Sequence, residues 1–293
     1  MELFLQLFFF GLVNGSIYSL LAIGFGIVFR GTGIFHVAFG GIYTLSSYSL
    51  FLFYRIFNFP LHISIFISLI FTVIIGVLIE KFVYKEFYKR NASKGPIFIA
   101  SLGIYIVIEN LIALLFGNEV KVLSPGIEPS YTIFKITFTR IEIIQLFTSI
   151  LICVLFYLAV KYFTLIKAIW VMGDEPELLR IIGLPLFKLR EYVFIISSFF
   201  AGVASILKGL DVGITPHIGM DALLIGVVAV VIGGIDSFKG WILGSFLIAE
   251  IESLIILKLS HRWTPLATFS LLILFILFRP QGILGVKRRL EEV

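Results

Sequence analysis

Apolar stretches too long for a soluble domain to bury recur along this chain, and they fix most of what it can become. Runs near 4–29, 34–54, 61–80, 96–116, 143–163, 189–209, 221–236, 240–257 and 265–278 are each predicted to be membrane-spanning helices. A helix rising ~1.5 Å per residue crosses a hydrocarbon core of roughly 30 Å in about 20 residues. The runs are continuously apolar, whereas strands of a membrane barrel would alternate over about 10 residues. Composition agrees: 59% of the 293 residues are hydrophobic and 14% charged, against about 45–50% and about 25% in soluble domains. The expected fold is an all-α polytopic membrane protein, a bundle of about eight or nine transmembrane helices, some of them broken. One membrane domain is expected over residues 1–293.

The basic residues set the orientation. Lys81, Lys85, Lys89, Arg90 and Lys94 follow the third run; Lys167, Arg180, Lys188 and Arg190 follow the fifth; Arg279, Lys287, Arg288 and Arg289 close the chain. An excess of Lys and Arg marks cytoplasmic loops, so the net charge of +5 points to membrane topology and not to nucleic acid. The segment 117–142 balances Lys121, Lys135 and Arg140 against Glu119, Glu128 and Glu142, and is expected to face outward. The opening residues, MELFLQLFFFGLVNGSIYSLLAIGF, lack a basic n-region and a small-residue cleavage site, and read as a retained first span. The single cysteine, Cys153, excludes an internal disulfide and reads as a core side chain. No G-x-x-x-x-G-K-[ST] phosphate loop occurs, so no nucleotide site, cofactor or metal is expected on this chain.

One polar stretch stands out, VMGDEPELLRIIGLP at 171–185. Asp174 is placed to cap a helix start, and Pro176 suits a first turn, where its missing N–H is no loss. Asp174, Glu175 and Glu177 complement the positive end of the helix dipole, Gly183 suits the left-handed stop, and Pro185 forbids resumption. A helix over 175–182 is predicted, carrying Leu178, Leu179, Ile181 and Ile182 as an apolar ridge. So short a helix is marginal alone in water. It packs either on this chain's own cytoplasmic surface or in a groove of a partner.

Polar residues inside the apolar runs are the other candidates, because ionisable groups there carry an insertion penalty of roughly 2.5–3.5 kcal/mol each. Asn14, Ser16 and Tyr18 interrupt the first run, and His36, Gly40 and Tyr43 cluster in the second. Either a broken helix beside a translocation path or close helix packing accounts for such a pattern. Glu109 and Asn110 lie within the fourth run, as path-lining groups or as interhelical hydrogen-bonders. Gly240 and Gly244 form a G-x-x-x-G, read as tight packing within the chain.

Several stretches, in order, resemble the membrane subunits of branched-chain amino-acid ABC transporters. KAIWVMGDEPELLRIIGLP (167–185) resembles that family's cytoplasmic coupling segment. GLVNGSIYSLLAIGFGIVFRGTGIFHVAFGGIYTLSSY (11–48) resembles its first two segments, and IASLGIYIVIENLIALLFG (99–117) its fourth. GVVAVVIGGIDSFKGWILGSFLIAEIESL (226–254) resembles its small-residue-rich pair, with Glu250 at a matching place, and LFRPQGILG (277–285) its C-terminal signature. Where the family's phrase resembles N-F-A-H-G-E, this chain has His36, Phe39 and Gly41 at the three polar places, and Ile225 stands where a lysine is frequent.

The resemblance implies a permease subunit of an ABC importer in a prokaryotic plasma or inner membrane, moving branched-chain or other hydrophobic amino acids. It implies cytoplasmic ATPase subunits carrying ATP and Mg, a second homologous or identical permease subunit, and an extracytoplasmic substrate-binding protein. Within this domain, 166–188 would be the coupling segment, with Asp174 to Leu179, Ile181, Ile182 and Gly183 meeting the ATPase. The same machine could carry urea, amides or another small polar solute. A self-sufficient secondary transporter would need a coupling carboxylate, for which Glu109 is the obvious group. An intramembrane enzyme is disfavoured, since neither H-E-x-x-H nor G-x-S-x-G is present.

Overall fold

The structure is a computed structural model describing residues 2–123, 129–133, 136–174, 179, 181 and 183–285. Helix α1 (Glu2–Thr32) is followed by α2 (Ala38–Phe51), which continues through a π-helical turn, Leu52–Ile56. Helix α3 (Leu61–Ile79) passes through a second π turn, Glu80–Tyr84, into α4 (Lys85–Lys89), and α5 (Lys94–Phe116) follows. A small antiparallel hairpin, β1 (Ser130–Ile133) and β2 (Ile136–Thr139), precedes α6 (Arg140–Tyr162) and α7 (Thr164–Asp174). The remaining helices are α8 (Leu186–Val212), α9 (Ile218–Gly233), α10 (Phe238–Lys258) and α11 (Thr264–Phe278). Each of the predicted runs is therefore helical. Among the described residues six helices are long and apolar enough to cross a membrane, and α9 and α11 are shorter apolar helices.

Helices α1 and α8 form the centre. Within the most apolar window of each, 78% and 72% of residues are buried, against 28% for α3–α4, 22% for α6 and 17% for α5. Small residues explain the difference. Helix α1 packs on α10, and a Cβ at Gly15 would lie 2.6 Å from the Phe246 ring. Of the two readings of residues 14–19, a broken helix and close packing, the break is absent and the helix is unbroken. Ser16 Oγ donates to the Val13 carbonyl at 2.7 Å and Ser19 Oγ to the Gly15 carbonyl at 2.8 Å. The hydroxyls are thus satisfied inside an intact helix, and the small residues serve packing. The G-x-x-x-G of α10 is an internal contact too: Gly240 meets the Gly233 carbonyl and Gly244 the Ala229 carbonyl.

The ends of the bundle differ in kind. One end holds the outer hairpin, whose Thr137 backbone is bridged by the Gln6 side-chain amide of α1 (2.6 and 2.7 Å). There Lys121 and Ile214 pair by two backbone bonds of 2.9 Å, and a capping box between Thr139 and Glu142 starts α6. The opposite end gathers the described residues of the three basic stretches, and is cytoplasmic by the positive-inside rule. Lys81, Lys85 and Lys89, expected in a loop, sit on helix, because α3 continues through the π turn to Lys89. At this end the Ile283 and Leu284 N–H groups donate to the Ile232 and Gly233 carbonyls at 2.8 and 3.0 Å. The C-terminal stretch thereby satisfies carbonyls that the end of α9 leaves without helical partners.

Candidate functional site

A cavity of about 650 Å³ opens in the outer half of the bundle between α1, α8, α9, α10 and α11. Its size falls in the range of small-molecule sites, roughly 300–1,000 Å³. Helix α1 supplies Asn14 and Tyr18, one turn apart; α8 supplies Lys208 near its outer end; α9 supplies Asp221, and α10 supplies Glu252. Lys208 Nζ donates to Asn14 Oδ1 at 3.0 Å and lies 3.8 Å from Asp211. Tyr18 Oη donates to Glu252 Oε2 at 2.7 Å, and Thr268 Oγ1 to Glu252 Oε1 at 2.7 Å. Charges of both signs therefore border one space, Lys208 and Arg262 on one side of the balance and Asp221 and Glu252 on the other. Leu224, Ile225, Ile256 and Phe269 make the rest of the wall apolar. Ile225 thus lines the same cavity as Lys208 and Arg262, and the cations of this wall do not come from position 225. A smaller cavity of about 170 Å³ shares Tyr18, Lys208 and Asp221 and adds Tyr43.

Asn14, Tyr18 and Tyr43 are thus brought together, and the other path candidates are not. His36 is fully buried, with Nδ1 2.9 Å from Tyr84 Oη, which in turn donates to Ser101 Oγ at 2.7 Å. Its ring packs edge-on against Phe194, so its surroundings are an interhelical core. Gly40 is a contact point between α2 and α9: a Cβ there would sit 2.6 Å from the Gly219 carbonyl oxygen. Ser16 spends its hydroxyl within α1. Glu109 Oε1 lies 2.5 Å from His217 Nδ1 toward the outer end of α5, and Asn110 is exposed, donating to the Ile106 carbonyl. Lys208 was not singled out by sequence reasoning. The one signal was a lysine within the last turns of an apolar span, with Asp211 three residues on.

At the cytoplasmic end Arg30, in the last turn of α1, joins two elements. Its Nη2 lies 2.5 Å from Asp174 Oδ2 and its Nε 2.7 Å from Asp236 Oδ1, with Trp170 beside the guanidinium. Asp174 is the last described residue of α7, whose helical turns run from Thr164 onward. Of the predicted helix, Glu175, Pro176, Glu177, Leu178, Arg180 and Ile182 lie outside the described residues. Leu179 and Ile181 are helical, Gly183 has φ +81°, and the Leu184 N–H donates to the Leu179 carbonyl at 3.0 Å. That bond and the left-handed glycine are the Schellman stop that the sequence predicts. The ridge, however, divides. Leu179 is 2% exposed and belongs to this chain's own core, whereas Ile181 is 83% exposed. Directly after the segment, Arg190 makes a buried bidentate pair with Glu80 of the second π turn, Nε to Oε1 at 2.6 Å and Nη2 to Oε2 at 3.1 Å.

Comparison with known proteins agrees with this architecture. The family model of the branched-chain amino acid transport system permease component matches residues 7–278. The high-affinity branched-chain amino acid transport system permease protein LivH of Salmonella typhimurium is 27% identical, covering 96% of each chain. BraD of Pseudomonas aeruginosa, a permease protein of a system described in the same words, is 28% identical over 94% of each. A probable permease protein LivH of Methanocaldococcus jannaschii is 25% identical over 94% of this chain and 90% of its own. A solved chain from PsaBC of Streptococcus pneumoniae shares the fold with a TM-score of 0.54 at 13% identity, over 95% of this chain and 92% of that one. A match that runs from residue 7 to residue 278 leads to one placement: the chain belongs to the family of permease components of branched-chain amino acid transport systems.

Proposed function

We propose that the chain is the permease subunit of an ATP-driven importer of branched-chain or other hydrophobic amino acids. ATPase subunits bind its cytoplasmic end, a second permease subunit completes the path, and an extracytoplasmic binding protein delivers substrate. The observation that carries this reading is Ile181: a large aliphatic side chain, 83% exposed, on the cytoplasmic segment between α7 and α8. Leu179, two residues earlier, anchors that segment to the chain's own core. A segment rooted through Leu179 and presenting Ile181 bare is suited to insertion in a groove of another subunit. Full burial of an isoleucine side chain is worth about 1.5–3 kcal/mol. The names of the relatives support the substrate class, and the lack of a phosphate loop in the sequence supports a nucleotide site on a partner.

The coupling follows from two ties. Arg30 connects the end of α7 to α1, and Asn14 lies 16 residues earlier in the same unbroken helix. At ~1.5 Å per residue the two are ~24 Å apart, so α1 is a rod between the cytoplasmic segment and the cavity. The Glu80–Arg190 pair fixes the start of α8, whose far end carries Lys208. A partner with different affinity for two positions of the segment would therefore shift α1 and α8 between two arrangements. Ile181→Glu tests the reading. Loss of ATPase subunits from a complex purified through a tag on this chain is expected, with normal insertion; full association and uptake would refute it.

A further inference from the structure

A different cavity, of about 560 Å³, lies on the flank of the bundle between α3, α6 and α8, and shares no residue with the one described above. Both α3 and α6 pack against α8, and the cavity is a slot over the strip of α8 left between them. Val203, Ile206 and Leu207 on α8 are buried at its floor, and Ile144 of α6, 45% exposed, stands on its wall. The slot runs from Phe199 to Leu210 on α8 and from Arg140 to Ile152 on α6. At ~1.5 Å per residue each stretch is ~17 Å long, about the depth of one leaflet in a hydrocarbon core of roughly 30 Å. Spread over that length, about 560 Å³ is a slot roughly 6–7 Å across, against ~10–12 Å for a helix with its side chains. It is therefore sized for a hydrocarbon chain and not for a helix of another subunit.

Polarity is graded along the slot. Arg140 and Tyr54 stand at its outer end, and below them Thr148 is the one other polar residue on its wall among the described residues. Arg140 opens α6 directly after the hairpin, where the capping box between Thr139 and Glu142 holds the turn. Glu142 turns its carboxylate to the Thr139 N–H at 2.7 Å, and among the described residues Arg140 has no ion-pair partner. A guanidinium at headgroup depth is complemented by a phosphate, which it can hold through two parallel hydrogen bonds. The amphipathic ring of Tyr54 suits the same depth. A cation above an apolar slot one leaflet deep repeats, with opposite charge, the order of groups in a phospholipid. We propose that this slot binds one phospholipid of the outer leaflet, with Arg140 on its phosphate and the strip of α8 between α3 and α6 under one acyl chain. The bound chain fills the outer half of the bundle between α3 and α6 and joins the two helices. The site depends on the placement of this chain in a membrane, and not on its cargo or its ATPase.

The test uses the protein purified from native membranes through a tag on this chain, with the subunits that accompany it, and stripped of lipid by extended detergent washing. Retention of added dioleoyl phosphatidylglycerol is read by native mass spectrometry and by the rise in unfolding midpoint. Dioleoylglycerol, with the same chains and no phosphate, and glycerol phosphate, with the phosphate and no chains, are the comparison arms. Wild type is expected to hold one phospholipid per copy of this chain, at least about tenfold more tightly than dioleoylglycerol, and to take up no glycerol phosphate. Arg140→Gln is expected to bring the phospholipid down to the level of dioleoylglycerol. Ile144→Trp, which fills the slot from an exposed position, is expected to abolish retention, whereas Leu151→Trp, exposed on the same helix outside the slot, leaves it unchanged. Equal retention of phospholipid and dioleoylglycerol by wild type, or wild-type retention by both Arg140→Gln and Ile144→Trp, would overturn the site. Loss of a second membrane subunit from Ile144→Trp with lipid retention unchanged would assign the slot to a protein, and would overturn it equally. Should either variant fail to purify, the wild-type comparison of the three ligands still decides.

Discussion

Replacing Glu80 by Gln would strand a guanidinium inside the cytoplasmic half of the bundle. The Arg190 side chain is 3% exposed and that of Glu80 1% exposed, and their two bonds of 2.6 and 3.1 Å make a planar fork. Removing one partner of a buried pair typically destabilises by about 3–5 kcal/mol, because the remaining charge is left unmatched. At about 2–4 °C per kcal/mol for a chain of this order of size, the unfolding midpoint in detergent should fall on the order of 10 °C. Tyr88, whose ring lies 4.8 Å from the Arg190 guanidinium, offsets part of this, so the lower half of the range is expected. The double variant Glu80→Leu with Arg190→Met supplies the control. Replacing both charges by apolar groups is commonly neutral or stabilising, so its midpoint should recover to near wild type. The assay is thermal unfolding in detergent, read by intrinsic fluorescence and by retention of a monodisperse peak. A single variant within about 1 kcal/mol of wild type, or a double variant worse than the single, would refute the claim that this pair is a dehydrated clamp. In uptake assays the double variant should be stable yet slow, since α8 would no longer be held in direction by the π turn.

Further outcomes follow from the same contacts. Leu179→Ala should lower stability by about 2–5 kcal/mol through a core cavity, measured by unfolding, while Ile181→Ala leaves stability unchanged and weakens ATPase association. Gly219→Ala should impair folding, because its Cβ would strike the Gly40 carbonyl, whereas Gly103→Ala, with nothing within 4 Å, should be silent in the same expression and unfolding assays. Glu109→Gln should preserve uptake: its carboxylate meets His217 at the outer end of α5, away from the cavity wall, and a tenfold loss would contradict that placement. Arg30→Gln should retain ATPase subunits yet reduce uptake per ATP hydrolysed, because the tie from Asp174 to α1 is cut.

Helix positions were legible because unbroken apolar runs leave the backbone one option in a bilayer, satisfaction of its own polar groups. The stop at Gly183 was legible for a similarly local reason, a left-handed residue followed by proline. Function-bearing side chains were less so. Asn14 and Tyr18 drew attention as polar interruptions, but a sequence cannot distinguish a broken helix from an intact one packed through Gly15, since both use small and polar residues. Lys208 and Glu252 lie 44 residues apart on different helices, and only the packing of α1 between α8 and α10 puts them on one wall. His36 shows the converse: a polar residue in an apolar run has its partner, Tyr84, in the core. The hairpin at Ser130–Thr139 escaped notice because two four-residue strands leave almost no periodic signal.

The chain's single cysteine, Cys153, is buried, which allows one thiol to be placed at will. Ile181→Cys in a Cys153→Ala background, treated with a short bifunctional thiol–amine reagent in native membranes, asks directly what this side chain touches. The account predicts one dominant cross-linked species joining this chain to a nucleotide-hydrolysing subunit, with its yield changing when ATP is added. Cross-links confined to this chain, or a fully modified thiol with no partner in membranes that still take up amino acid, would contradict it.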